Sequence, residues 1–199
     1  MDETRSDAEL LQRWGEGSTR AGNELVERYF ATVHRFFRNK VGTELEDLVQ
    51  QTFLACVEAR ERFRGESSFK TFLLAIARNQ LLKHYSQSHR KTVDAELSSV
   101  RDLRTSPTGA IAKREDQRLL LEALQQIPLD AQVILELVFW DGLDTVEIAA
   151  VLNLPLNTAY SRLRRAKLAL REKLSALSPE GRVIDAEQAA EAARKAIFA

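Results

Sequence analysis

Two stretches of this 199-residue chain carry side chains suited to chemistry on a polyanion. Residues 156 to 174, LNTAYSRLRRAKLALREKL, hold six basic side chains against one acidic. Wound as a helix, they place Ala159, Leu163, Ala166, Leu170 and Leu174 on one side. Asn157, Thr158, Tyr160, Ser161, Arg162, Arg164, Arg165 and Lys167 spread over the other, with Ser161 and Arg165 on one line and Asn157, Thr158 and Arg162 beside it. Arginine pairs bidentately with guanine and asparagine with adenine, while neighbouring cations hold phosphates, so such a face suits duplex DNA. Residues 60 to 91 hold eight basic and two acidic side chains, and rings alternate with cations: Phe63, Arg64, Phe69, Lys70, Phe72, Arg78, Asn79, Lys83, His84, Tyr85, His89, Arg90 and Lys91. Rings stack on unpaired bases and cations follow a backbone, which is the chemistry of single-strand binding. Phe69 and Phe72 also fit a core stripe with Leu73 and Ile76, so both readings of these rings stand.

Other chemistries lack their residues. There is no GxxxxGK[ST] cradle, no GxSxG elbow and no HExxH pair. Of His34, His84 and His89, the last two are five apart, an awkward spacing for two metal ligands on one helix. Cys56 is the single cysteine, which excludes an internal disulfide and a CxxC site. No catalytic residue, metal site or cofactor is expected.

The formal net charge of zero conceals strong segregation. Residues 1 to 59 carry 7 basic and 11 acidic side chains, and residues 92 to 155 carry 5 and 11. Each basic island therefore follows an acidic stretch, as two separate polyanion contacts require. Apolar runs are too short to span a bilayer, and the opening MDETRSDAEL is acidic where a secretory leader is basic and then apolar, so a cytoplasmic protein without membrane insertion is expected.

The elements that must position these side chains read as helices throughout, giving an all-α fold of two small domains. A short helix ends near Trp14, and the turn Gly15-Glu16-Gly17-Ser18 leads to a long helix with Leu25, Tyr29, Val33, Phe36 and Phe37 inward, closing near Gly42. A third helix starts near Glu44, turns Leu45, Leu48, Val49, Thr52, Phe53, Cys56 and Val57 inward and runs to about Phe63. Ser67 or Ser68 caps a fourth. Residues 92 to 112 lose periodicity and gain Ser, Thr, Pro107 and Gly109, marking a flexible linker between domains at 1–91 and 113–174. Beyond it a helix spans about Lys113 to Ile127, and another opens at Pro128 and closes at Asp141-Gly142. Asp144 with Glu147 forms a capping box for a short helix, Asn153-Leu154-Pro155 stops it, and the basic helix follows. A short helix, a tight turn and a basic helix constitute a helix-turn-helix pattern. The tail, 175–199, contains Ile184, Ala189, Ala193 and Ile197 at the spacing of a weak helix, and its role has no sequence signature.

The order of DLVQQTF, FRGESSFKTFL, IARN and the EIA…SRLRRAK run resembles the extracytoplasmic-function, group IV sigma factors of bacterial RNA polymerase, over about residues 7 to 174. Residues 44–85 are similar to regions 2.2 to 2.4 and residues 121–174 to region 4. The resemblance implies a non-enzymatic initiation factor that binds core RNA polymerase, captures the minus-10 strand and reads the minus-35 duplex. It implies that Asp47, Leu48, Gln50, Gln51 and Phe53 dock on the β′ clamp helices, with a core role for Phe53 the alternative, and that region 4 meets the β flap. It further implies that Arg64, Gly65, Ser67, Ser68 and Asn79 capture a flipped base and the non-template strand, with Lys70, Arg78, Lys83 and Arg90 on phosphates. The minus-35 readers would be Asn157, Thr158, Tyr160, Ser161, Arg162, Arg164, Arg165 and Lys167. An anti-sigma factor is a further partner the resemblance allows.

Asn153 stands where many members have Gly, Tyr160 stands where a basic residue is common, and the tail exceeds the minimal plan. Two rival readings are a helix-turn-helix regulator acting on duplex DNA without polymerase, and a serine recombinase. The latter needs an α/β catalytic domain, for which no strand pattern exists.

Overall fold

The computed structural model describes residues 5–93, 115–178 and 184–191, apart from the side chains of 88–93. The expected linker, 92–112, lies outside the described residues except for the backbone of its first two positions. The chain divides into two compact units, residues 1–103 and 104–199. Among the described residues both consist of helices without a strand.

The first unit comprises α1 (Asp7–Gly15), α2 (Thr19–Arg38), α3 (Leu45–Ala59), a 3-10 turn (Arg60–Arg62) and α4 (Phe69–Val93). A capping box starts α1: the Glu9 amide donates to Ser6 Oγ at 3.3 Å, and the Ser6 amide donates to the Glu9 carboxylate at 2.8 Å. Those bonds hold the Glu9 carboxyl below its usual range. α1 lies along α2, fastened by Arg28 to Asp7 at 2.5 Å, Arg5 to Glu24 at 3.1 Å and the Tyr29 hydroxyl to Asp7. α2 and α3 both pack on α4, around Leu25, Val33, Phe37, Leu48, Leu73, Leu74 and Leu81.

α2 ends at Arg38 rather than near Gly42, because the chain tightens into a turn in which the Lys40 amide donates to Phe37 O at 2.8 Å. α3 stops at Ala59 and tightens to 3-10 geometry before Phe63. Val57, expected inward, is exposed. Because α4 packs against two helices, its buried arc centres on Leu73, Leu74, Ala77 and Leu81, leaving Phe72 and Ile76 half-buried at its edge.

The second unit contains α5 (Glu115–Gln125), α6 (Leu129–Phe139), α7 (Thr145–Leu152) and α8 (Leu156–Leu177). α8 is its axis, in contact with the other three helices. The core gathers Leu120, Leu124, Ile134, Leu135, Leu137, Ile148, Ala159 and Leu170. Gly142 turns the chain at φ 65°, and the Asp144–Glu147 capping box then starts α7. Asn153 takes the left-handed conformation at φ 51°, which lets the Leu154 amide reach back to Ala149 O at 2.9 Å. α8 outruns its expected end by three residues, to Leu177, and Leu163 is half-buried rather than enclosed. In the tail, residues 186–191 are helical, with the Glu187 and Gln188 amides donating to Asp185 Oδ1. Ala193 and Ile197 fall outside the described residues.

Candidate nucleic-acid interface

In the second unit, α7 and α8 meet across the tight turn at Asn153, so the outer face of α8 is a fixed surface rather than a loop. Ala159, Ala166, Leu170 and Leu174 anchor it inward. Asn157, Tyr160, Ser161, Arg164, Arg165 and Lys167 are exposed, and Thr158 is half-buried. Ser161 Oγ donates to Thr158 O at 2.9 Å, and Arg165 Nε donates to Ser161 O at 3.4 Å, so both side chains lie along the helix. Arg162 departs from this group: half-buried, it reaches Asp130 of α6 at 3.8 Å. Lys167 forms an ion pair with Glu187 of the tail at 3.1 Å. Sequence reasoning passed over Val146 and Leu156, which are exposed at the first turns of α7 and α8. Their signal was an apolar residue lying off the buried stripe of its helix.

In the first unit, α1 and the segment between α3 and α4 enclose a cavity of about 650 Å³. It gathers Arg64, Gly65, Ser67 and Ser68 against Gln12, Trp14 and Arg60, none of the last three expected at a site. The Arg60 guanidinium lies 5.6 Å over the Trp14 ring. Gly65 turns the loop at φ 72°, a backbone angle that disfavours side chains. Ser68 is occupied as the cap of α4, accepting from the Thr71 amide at 3.1 Å. The three rings Phe63, Phe69 and Phe72 form one cluster, in which Phe69 is buried while Phe63 and Phe72 keep solvent-facing area.

The remaining expected strand-binding residues are dispersed along α4. Lys70 and Arg78 are half-buried, while Asn79 and Lys83, one helical turn apart, are exposed. Lys83 lines a separate groove of about 200 Å³ with Asp47, Gln51 and His84. The Arg90 side chain lies outside the described residues.

Of the residues expected to face polymerase, Asp47, Gln50 and Gln51 are exposed, Leu48 is buried and Phe53 is half-buried. Phe53 stacks on Phe30 at 6.4 Å between ring centres. Around them runs a shallow apolar groove of about 430 Å³, formed by Val26, Phe30, Val49, Phe53, Leu54 and Val57. Phe30 is 46%, Leu54 56% and Val57 40% exposed, a contiguous apolar patch beyond the residues sequence reasoning singled out.

The family descriptions "Sigma-70 region 2" and "Sigma-70, region 4" match residues 25–91 and 117–170. The ECF RNA polymerase sigma-E factor of Haemophilus influenzae is 28% identical over 189 residues, covering 89% of this chain and all of that one. That of Escherichia coli (strain K12) is 28% identical over 188 residues, covering 89% and 98%. Among solved structures, CnrH in complex with the cytosolic domain of CnrY matches with a TM-score of 0.61 at 25% identity, covering 86% of this chain and 99% of that one. The sigma factor RpoE from Bartonella quintana, solved with the anti-sigma factor NepR, shares the fold with a TM-score of 0.61 at 22% identity, covering 77% and 96%. Among the described residues no helix is long and apolar enough to cross a membrane.

Proposed function

The chain belongs to the sigma-70 family, with the two-region plan of its extracytoplasmic-function members, as an alternative sigma factor that directs core RNA polymerase to promoter DNA; from that premise we propose how its parts divide the work. Residues 1–91 act as region 2 and 113–174 as region 4, joined by a linker over 92–112. Region 2 docks on the β′ clamp helices through Asp47, Gln50 and Gln51 at the rim of the apolar patch of Phe30, Phe53, Leu54 and Val57. Its cavity beside Arg64 to Ser68 takes an unstacked minus-10 base, with Trp14 and Arg60 as one wall, and Asn79 and Lys83 hold the strand further along α4. Region 4 reads the minus-35 duplex with Asn157, Ser161 and Arg165, while Arg164 and Lys167 hold phosphate and the unit meets the β flap.

The observation that supports this reading is the pairing, in one chain, of a ring-and-cation cavity in region 2 with the exposed polar face of α8 in region 4. A duplex-only regulator would have no use for the first. The factor performs no catalysis: polymerase makes the RNA, and the factor acts in the cytoplasm where polymerase and promoters are. RpoE and CnrH were each solved with a partner, NepR and CnrY, and an anti-sigma protein covering these surfaces is the corresponding partner here.

The test is transcription of a pooled genomic library by core polymerase with and without the protein, reading RNA 5′ ends. Starts that share a two-part spaced motif are expected. Arg165→Ala weakens minus-35-dependent initiation with polymerase binding intact, and Asn79→Ala impairs strand opening with duplex binding intact. Absence of protein-dependent starts, under conditions where another sigma factor works, overturns the reading.

A further inference from the structure

The tail has no part in the two-region plan, yet residues 184–191 are described within the second unit and lie against its DNA-facing helix. Three observations fix how. Glu187 Oε1 stands 3.1 Å from Lys167 Nζ. Ala189 and Ala190 are 5% and 1% exposed, so the helical turn is seated by apolar contact and not by the ion pair alone. Asp185 caps that turn through the amides of Glu187 and Gln188, which aims the Glu187 side chain outward from a defined backbone.

Lys167 follows Tyr160 and Arg164 at spacings of four and three, so all three occupy one line of α8. The segment laid against this line, IDAEQAAE, has three acidic residues and no basic one. A carboxylate paired with a lysine occupies the place a DNA phosphate would take, and its neighbours repel the approaching backbone.

We propose that the acidic tail segment 184–191 is an intramolecular competitor of DNA, seated on α8 so that region 4 must release Lys167 from Glu187 before it holds promoter phosphate. The inference rests on the reading of α8 as the minus-35 helix. Its consequence is that the tail lowers duplex affinity, and lowers it most at low salt, where ion pairs are strongest.

The experiment uses the full chain and a fluorescently labelled minus-35 duplex taken from a promoter identified by the start-site mapping, read by anisotropy at several salt concentrations. Glu187→Gln, at a position 73% exposed, keeps the fold and tightens binding about two- to five-fold, the span of one exposed ion pair. In a Lys167→Ala background the same change gives no further gain, which ties the effect to this pair. A chain ending at Ser178 tightens at least as much as Glu187→Gln. The proposal is overturned if Glu187→Gln binds like the unaltered chain, or if its gain persists without Lys167. Arg165→Ala separates the two levels: if it too leaves binding unchanged, the minus-35 reading of α8 fails; if it alone weakens binding, that reading stands and the tail is not a competitor.

Discussion

Replacing Leu54 with Asp should detach the factor from core polymerase while leaving its own fold intact. Leu54 is 56% exposed on α3, in the groove shared with Phe30, Phe53 and Val57. Full burial of a leucine side chain contributes about 1.5–3 kcal/mol, so covering the exposed 56% contributes about 0.8–1.7 kcal/mol. Leu54→Ala forfeits most of that and weakens binding about 4- to 15-fold. Leu54→Asp also places an ionised carboxylate in the contact, and its loss is larger than that of Leu54→Ala. Neither change touches the core, so stability should shift within about 0.5 kcal/mol. The assay is an anisotropy titration of labelled factor with core polymerase at two salt concentrations, alongside binding to a minus-35 duplex. Because the lost contact is apolar, the deficit should hardly vary with salt, unlike that of an ion pair. A folded Leu54→Asp variant that binds core polymerase as the unaltered chain does would refute the assignment of this patch.

Gly22→Ala should unseat Trp14: an added Cβ falls 2.6 Å from Trp14 Nε1, an overlap of about 1–3 kcal/mol that a helix-propensity gain of about 1 kcal/mol offsets only in part. In a Trp140→Phe background Trp14 emission reports the first unit alone, and unchanged emission with raised stability would contradict the packing. Asn153→Ala should cost the second unit about 1 kcal/mol in thermal unfolding, because φ 51° penalises a Cβ without a compensating amide, whereas Asn153→Gly should be tolerated; equal losses would refute this. Burial pushes the Cys56 thiol up to about 12, so it should resist thiol reagents at pH 8 until the first unit unfolds, and fast reaction in the native state would oppose this. Its folded pKa being raised, its contribution to stability is full below the ordinary thiol range and is lost as pH climbs from there towards about 12.

The helices were legible because punctuation and periodicity agreed. Ser6 with Glu9, Asp144 with Glu147, Ser68 before α4 and Asn153 after α7 are local hydrogen-bonding signals that need no tertiary context, and each performs in the structure the capping its type suggests. Errors collected where one helix meets two neighbours: Val57 and Ile76 fit a single stripe, but the arc each helix buries depends on partners that no spacing rule names. The outer face of α8 was readable because an amphipathic helix has only one other side. The cavity wall of Gln12, Trp14 and Arg60 was not, since it joins residues about 50 positions apart, and the Phe30–Phe53 stack crosses two helices in the same way. Likewise Arg162 fits the basic face by angle, and only its approach to Asp130 shows it turned aside.

Segregated charge with a net of zero also constrains how such a factor reaches its target. Non-specific affinity for DNA follows the number of phosphates a protein neutralises, and it falls steeply with salt. The islands of six and five net positive charges, residues 60 to 91 and 156 to 174, each follow an acidic stretch of opposite sign, so neither presents an extended cationic surface to a random duplex. One further cation, Lys167, is neutralised by Glu187. Each unit alone is therefore a weak binder by construction. On polymerase the two are held over the same promoter, so the second contact forms at an effective concentration set by the tether rather than by the bulk, and weak affinities multiply. Selectivity then resides in the spacing of two sites rather than in either one. Lengthening the separation between the minus-10 and minus-35 elements by one or two base pairs should depress initiation more than a single mismatch in either element, and a promoter insensitive to that spacing would show that one unit acts alone.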